Sequence, residues 1–212
     1  KSFCAGADFQ TRDATPEQAS PRGINPIYFE AIRLFACSKP VVGAIHGPAI
    51  GGGLGLALVP DFRVTCPEAR FSANFNRLGF HPGFGLSYTL PRLVGPQQAL
   101  EWVLSAEIFD AAEGQRGGLI RSVHAPEDLL GAAYALARKF IDGRSPVAVA
   151  LARQMLLRNA AQPHPLAAHR IDSLAMFYTS LGDGKEGVAA FLEKRDPDFT
   201  GRASDMPFYP WD

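Results

Sequence analysis

Hydrophobic and polar positions change texture near residue 125 of the chain. Residues 11–26 (TRDATPEQASPRGINP) are polar and rich in turn formers, which predicts a mobile surface loop. Apolar residues at 27, 32, 35 and 36 then predict a helix over Ile27–Ser38, closed by Pro40. Val41–Ile45 is a short apolar run suited to a strand buried on both faces. Leu54–Val59 can be helical, although Gly55 weakens it. Phe62–Thr65 and Ala69–Ser72 predict two further strands, Gly79–Gly85 a loop and Pro96–Leu104 a helix. Ile108–Asp110 and Ile120–Val123 bracket a short helix near Ala111–Gln115. Beyond Pro126, helical periodicity covers 127–142, 146–160, 165–181 and 185–194 with almost no strand signal. Strands mixed with helices, followed by helices alone, predict an α/β core over residues 1–125 and a helical region over 126–212.

Charge then removes whole classes of function. The 212 residues carry 21 Lys+Arg against 21 Asp+Glu, a formal charge of zero, so the chain lacks the cationic surplus of a nucleic-acid binder. Hydrophobic residues at 47% and charged residues at 20% indicate a globular domain rather than a disordered chain. Val41–Pro60 contains no Lys, Arg, Asp or Glu, but its six glycines and two prolines interrupt it. A buried strand, a glycine loop and a buried helix fit it better than a membrane span. Cys4, Cys37 and Cys66 are odd in number and widely spaced, which fits reduced thiols in a cytoplasmic protein rather than disulfides or a zinc site. No metal or separate cofactor is expected.

Common catalytic signatures are missing: there is no G-x-x-x-x-G-K-[ST], G-x-S-x-G or H-E-x-x-H. Gly182–Gly187 satisfies G-x-G-x-x-G but falls between two helical patterns, as a helix–helix turn would. His164 and His169, five apart, do not share a helical face. Two glycine loops say more. Cys4-Ala5-Gly6-Ala7-Asp8 follows an apolar start, and His46–Gly55 follows a buried strand and opens a helix. Glycines there let backbone approach a ligand, and N–H groups at a helix start favour an anionic atom. Two such loops side by side could aim two N–H donors at one carbonyl oxygen. The same glycines could equally serve only tight strand–helix packing.

Phe3-Cys-Ala-Gly-Ala-Asp8, Lys39-Pro-Val-Val-Gly-Ala-Ile-His-Gly-Pro-Ala-Ile-Gly-Gly-Gly53 and Ala190-Phe-Leu-Glu-Lys-Arg-Asp-Pro-Asp-Phe-Thr-Gly-Arg202 resemble the crotonase (enoyl-CoA hydratase/isomerase) family. Pro60-Asp61, Leu90–Gly95 and Ala112–Leu119 add similar pieces in the same order. The resemblance implies an α/β fold, a crotonase-type spiral of ββα units with a helical C-terminal trimerisation region, as a homotrimer or a dimer of trimers. It implies an acyl-CoA thioester as substrate, coenzyme A being part of that substrate. The thioester oxygen would be held by the backbone N–H groups of Ala7 and Gly52, with Cys4, Ala5, Asp8, Gly51, Asn74, Phe75 and Phe84 around it. The resemblance also places the first strands of the spiral ahead of the Cys4–Asp8 loop. With the motif opening at residue 4, the expectation is a fragment, because a true absence would leave a sheet edge unpaired.

The departures from the family matter as much. Its hydratases use two glutamates, whose positions correspond here to Gly55 and Phe75; some isomerases use an acid at the position of Gly83. Gly and Phe can neither deliver a proton nor orient a water. His81, in the loop that lines the acyl pocket in the family, could replace a carboxylate as acid or base, or could simply hydrogen-bond its own loop. His46 could buttress the strand end, and Asn74, Asn76 and Tyr88 could position a polar group. Arg70 and Arg77 could pair with an acyl carboxylate or solvate the surface. Lys194 and Arg195 could reach CoA phosphates or balance Asp196 and Asp198. Phe80, Phe84 and Phe177 read as core or pocket lining. Two function classes follow: an enzyme using enolate chemistry with non-standard acid–base groups, or a non-catalytic acyl-CoA-binding homologue.

Overall fold

In the computed structural model, residues 1–6 and 26–206 are described. Ala7, Asp8 and residues 11–25 of the loop predicted over 11–26 lie outside them, whereas Pro26 opens a helix. The chain divides into two units, one of residues 1–37 and 41–135 and the other of 38–40 and 136–212. The expected change at 126 compares with a division at 135/136, inside the helix Leu129–Arg138.

The first unit is α/β. It opens with helix α1 (Pro26–Ile32), which runs into a 3-10 turn over Arg33–Ala36. Strands β1 (Val42–Ile45) and β2 (Ala49–Ile50) lead to helix α2 (Gly52–Ala57), and β3 (Phe62–Thr65) and β4 (Arg70–Ser72) lead to α3 (Leu86–Val94) and α4 (Pro96–Ser105). Then come β5 (Phe109–Asp110), α5 (Ala111–Arg116) and β6 (Ser122–Val123). One sheet has the order β1-β3-β6, all parallel; the other is β2-β4-β5, with β4 and β5 antiparallel. The first two passes of the chain therefore each lay one strand in each sheet before a helix. That is the ββα repeat of a spiral.

The register follows burial. Ile45, Val64 and Phe71 point inwards, and Ile45 and Phe71 are wholly buried. Phe71 stacks on Phe109 with ring centroids 5.6 Å apart, and Trp102 stacks on Phe109 at 4.0 Å. The Trp102 indole donates to Glu113 Oε1 (2.8 Å), so its polar edge is satisfied within the core. Asp110 caps α5 by accepting from the Glu113 amide. The buried Arg63 of β3 donates to the Leu119 (2.8 Å), Pro60 and Asp61 carbonyls, fastening the Pro60–Asp61 turn to Leu119 through one guanidinium. Burial lowers its pKa to about 10.

Helix α3 is one the sequence pattern did not predict: Pro91 lies inside it. The helix survives because Leu86 and Leu90 are wholly buried, and their packing outweighs the lost amide. Helix α2 also begins two residues earlier than expected, on Gly52.

In the second unit, the end of α6 (Leu129–Arg138) is followed by α7 (Pro146–Asn159), α8 (Pro165–Leu181) and α9 (Asp183–Glu193). Ser145 caps α7 by accepting from the Ala148 amide and donates to Asp183 Oδ2 (2.6 Å); Asp183 also accepts from the Gly201 amide. Val147, Leu151 and Ala175 form a small core with Met155, Tyr178 and Met206. Leu174, Met176, Phe177 and Leu181 of α8 and Val188, Phe191 and Leu192 of α9 are exposed. Among the described residues no helix is long and apolar enough to cross a membrane.

Candidate active site

The two glycine loops meet in the first unit. Cys4 forms a parallel bridge with Ala49: its amide donates to the Pro48 carbonyl and its carbonyl accepts from the Ile50 amide, each at 3.0 Å. Residues at the start of the chain thus run along β2, and only a residue without a Cβ fits where they cross α2. A Cβ on Gly53 would lie 1.9 Å from the Cys4 carbonyl oxygen. Beyond Cys4, Gly6 turns at φ +87°, and a Cβ there would lie 2.9 Å from the Ile50 carbonyl oxygen and 3.6 Å from the Gly52 nitrogen. Gly51 turns at φ +56° into the first residue of α2. Both backbones are left-handed turns that side chains rarely adopt, and they bring the two loops together at Gly52.

Aromatic rings surround this junction. Phe84 is buried although it adopts φ +57°, a strained conformation for a non-glycine residue. Its Cβ and Cγ lie 2.6 Å from the place of a Cβ on Gly55. Tyr28 of α1 is wedged between Gly52 and Gly83. Its Cε1 and hydroxyl are 3.0 and 3.1 Å from the Cβ place of Gly52, and its Cε2 is 2.9 Å from that of Gly83. The Tyr28 and Phe84 rings meet edge to face at 5.2 Å. Phe75 Cε1 lies 3.6 Å from the Cβ place of Gly83, and Asn74 Oδ1 lies 2.9 Å from that of Gly51.

Two of the three positions empty of acid are therefore filled by neighbours: Phe84 takes the space above Gly55, and Tyr28 that beside Gly83. Gly51, Gly52, Asn74, Phe75 and Phe84 come together as a cluster with Gly6, while Cys4 underlies the crossing and Ala5 is exposed. Tyr28 was missed by sequence reasoning. No spacing signals it, because its contacts with Gly52 and Gly83 exist only in the fold.

Other nominated residues take quieter positions. His81 is exposed, its Nδ1 3.2 Å from the Pro82 carbonyl oxygen. His46 is exposed, with its ring 6.1 Å from that of Phe3. Its carbonyl accepts from the Cys66 thiol (3.3 Å), and burial pushes that thiol above its usual range. Cys4, Cys37 and Cys66 form no disulfide among the described residues. Arg70 is spent on the Pro67 and Ala69 carbonyls of its own turn, and Arg77, Asn76 and Tyr88 are exposed. Tyr88 lies under the Arg92 guanidinium. Phe80 and Phe177 lie outside the core, being 58% and 65% exposed. Phe80 follows the left-handed turn at Gly79, and the buried residue of α8 is Ala175.

In the second unit, Arg195 pairs with Glu186 and Glu193 rather than with Asp196 or Asp198 side chains. This pairing and the Asp198 amide hold the Glu186 carboxyl at about 2. His164 caps α8 by accepting from the Leu166 amide. A cavity of about 360 Å³ in this unit is lined by residues including Phe140, Ile141, Arg144 and Arg202, none of them nominated as a site residue. Among the described residues no cluster of three or more His, Cys, Asp or Glu could hold a metal ion.

Residues 1–202 match the family described as enoyl-CoA hydratase/isomerase. The chain is 34% identical over 205 residues to a crotonyl-CoA hydratase of Syntrophomonas wolfei, covering 95% of this chain and 77% of that protein. It is 36% identical over 202 residues to the 2,3-dehydroadipyl-CoA hydratase of Escherichia coli K12, covering 94% and 77%. The fold superposes on the crystal structure of an enoyl-CoA hydratase from Bacillus anthracis with a TM-score of 0.86 and 30% identity, covering 95% of this chain and 78% of that one.

Proposed function

The chain belongs to the enoyl-CoA hydratase/isomerase family, and from that membership we propose that it binds an acyl-CoA thioester at the Gly6–Gly52 junction. The Gly52 amide, first in α2, and the Ala7 amide donate to the thioester oxygen. The observation that supports this reading is that a Cβ on Gly6 would lie 3.6 Å from the Gly52 nitrogen, so the Cys4–Gly6 backbone runs close to the first residue of α2. A thioester oxygen held by two donors withdraws electrons from the carbonyl. Negative charge arising at the α-carbon then delocalises onto that oxygen as an enolate. A donor lost from such a hole costs on the order of a hundredfold or more in rate. Asp8, Cys4, Ala5, Gly51, Asn74, Phe75 and Phe84 shape the surroundings.

Ordinary hydration needs one group to deliver a proton and another to orient water. Gly55, Phe75 and Gly83 supply neither, and the volumes beside Gly55 and Gly83 hold aromatic rings. The chemistry proposed is therefore an enolate-forming reaction other than hydration of short straight-chain enoyl thioesters, such as hydrolysis, decarboxylation or C–C cleavage. His81, whose ring is open to solvent, serves as the acid–base group. The same filled volumes favour one second reading, an acyl-CoA-binding homologue without chemistry. Exposed apolar residues along α8 and α9 support association of identical chains as a homotrimer or a pair of trimers.

Turnover of a panel of acyl-CoA esters, with titration of each by calorimetry, tests the proposal. Binding of acyl-CoA with conversion of at least one ester is expected, the conversion falling in His81→Ala. Failure to bind any acyl-CoA overturns the site, and binding without conversion selects the second reading. Crotonyl-CoA hydration at the turnover usual for efficient enzymes, above about 10 per second, would overturn the exclusion of hydratase chemistry.

A further inference from the structure

We propose that the cavity of the second unit is a binding site for a small amphiphilic anion, an alkyl carboxylate or alkyl phosphate. Its head would meet three cations and its chain an apolar floor. The cavity holds about 360 Å³, within the range of small-molecule sites, and every residue lining it belongs to that unit. The inference stands apart from the thioester reading, since it uses none of the residues around Gly52.

Charge and burial divide the lining into a mouth and a floor. Lys39, Arg144 and Arg202 are exposed cations, and no Asp or Glu lines the cavity with them. Among the described residues, the side chains of Lys39 and Arg202 have no hydrogen-bond or ion-pair partner. Arg144 is held in place: its Nη1 donates to the Asp142 and Gly143 carbonyls at 2.9 and 3.3 Å, which leaves the rest of its fork to a ligand. Two carboxylates bond to lining residues. Asp183 accepts from the Gly201 amide and the Ser145 hydroxyl, and Asp205 accepts from the Ser204 hydroxyl. Neither pairs with the three cations, which keep their charge for a ligand. Beneath them Ala150 and Ala203 are buried, and Pro40 and Val149 half-buried. A bare inorganic anion would leave that floor wet, and a neutral chain would leave the cations unmatched. One molecule carrying both parts satisfies both.

The test is a calorimetric titration of the full chain with octanoate, octyl phosphate, 1-octanol and inorganic phosphate. At least one octyl anion is expected to bind, on the order of tenfold or more tighter than octanol or phosphate, and to weaken as salt is raised. The tighter of the two anions identifies the head that the site takes. Arg144→Gln and Arg202→Gln, both at exposed positions, are each expected to weaken that anion on the order of tenfold without moving the melting midpoint. Val149→Trp, which fills the floor, is expected to abolish binding; if that chain fails to fold, the two arginine variants carry the test alone. Octanol binding as tightly as the octyl anions, or neither anion binding, overturns the proposal. So does binding of an octyl anion that both arginine variants leave unchanged, because it then lies elsewhere on the chain. None of these results bears on the thioester reading, which the acyl-CoA titrations test separately.

Discussion

The Phe84 ring occupies the space above Gly55, with Cβ and Cγ 2.6 Å from where a Cβ on Gly55 would stand. Gly55→Ala is therefore expected to destabilise the chain by about 1–3 kcal/mol, as overpacking of a closed site does. In a Phe84→Ala background the same change is expected to cost less, giving a coupling of about 0.5–3 kcal/mol in a double-mutant cycle. Denaturant melts of the four chains check this, and additive losses would contradict the contact.

Gly53 faces the Cys4 carbonyl even more closely. Gly53→Ala puts a methyl 1.9 Å from that oxygen, so the Cys4 segment has to leave β2. Amide exchange is expected to quicken at Ile50, which donates to the Cys4 carbonyl, and at Cys4 itself. Protection at the Val64 amide in β3, within the other sheet, is expected to change much less. Unchanged exchange at Ile50 would show that the crossing tolerates a side chain.

Arg63 is buried and its guanidinium meets three carbonyls, those of Pro60, Asp61 and Leu119. Arg63→Met fills similar volume but leaves those oxygens without their donor. A loss of about 2–4 kcal/mol is expected, or roughly 5–15 °C in midpoint for a chain of this size. Arg63→Lys is expected to recover only part, because an ammonium cannot span the fork. Calorimetry of the three chains provides the comparison.

The Glu186 carboxyl, held at about 2 by Arg195 and the Asp198 amide, sits below its ordinary 4.5. A carboxyl depressed on folding contributes stability that is fully present above the unfolded value and is lost as pH falls through the folded one. The wild-type chain is therefore expected to lose denaturant resistance between about pH 5 and pH 2 more steeply than Glu186→Gln. Parallel pH profiles for the two chains would remove this ion pair from the acid response. Arg195 stays charged throughout, its pKa being raised by the same pairing.

Much of the fold was legible because burial writes directly onto the sequence. Val41–Ile45 reads as a strand since its apolar run has no polar face, and Phe62–Thr65 since its apolar and polar residues alternate. Helix α3 was hidden by Pro91, whose local cost is outweighed only by tertiary burial of Leu86 and Leu90. The start of α2 was blurred by glycines that are there for the Cys4 crossing and not for helix propensity. Within the site, the empty acid positions were visible as Gly55, Phe75 and Gly83. What fills two of those volumes was not, because Phe84 is 29 residues from Gly55 and Tyr28 is 55 from Gly83, and sequence carries no register between them.

The contact of Phe84 with Gly55 also bears on descent. A lineage carrying this pair cannot gain a carboxylate at 55 in one neutral step. Adding it first collides with the ring, and removing the ring first hollows the site. Tyr28 closes the same route at Gly83. Each ring and its glycine thus act as a ratchet that opposes a side chain at 55 or at 83.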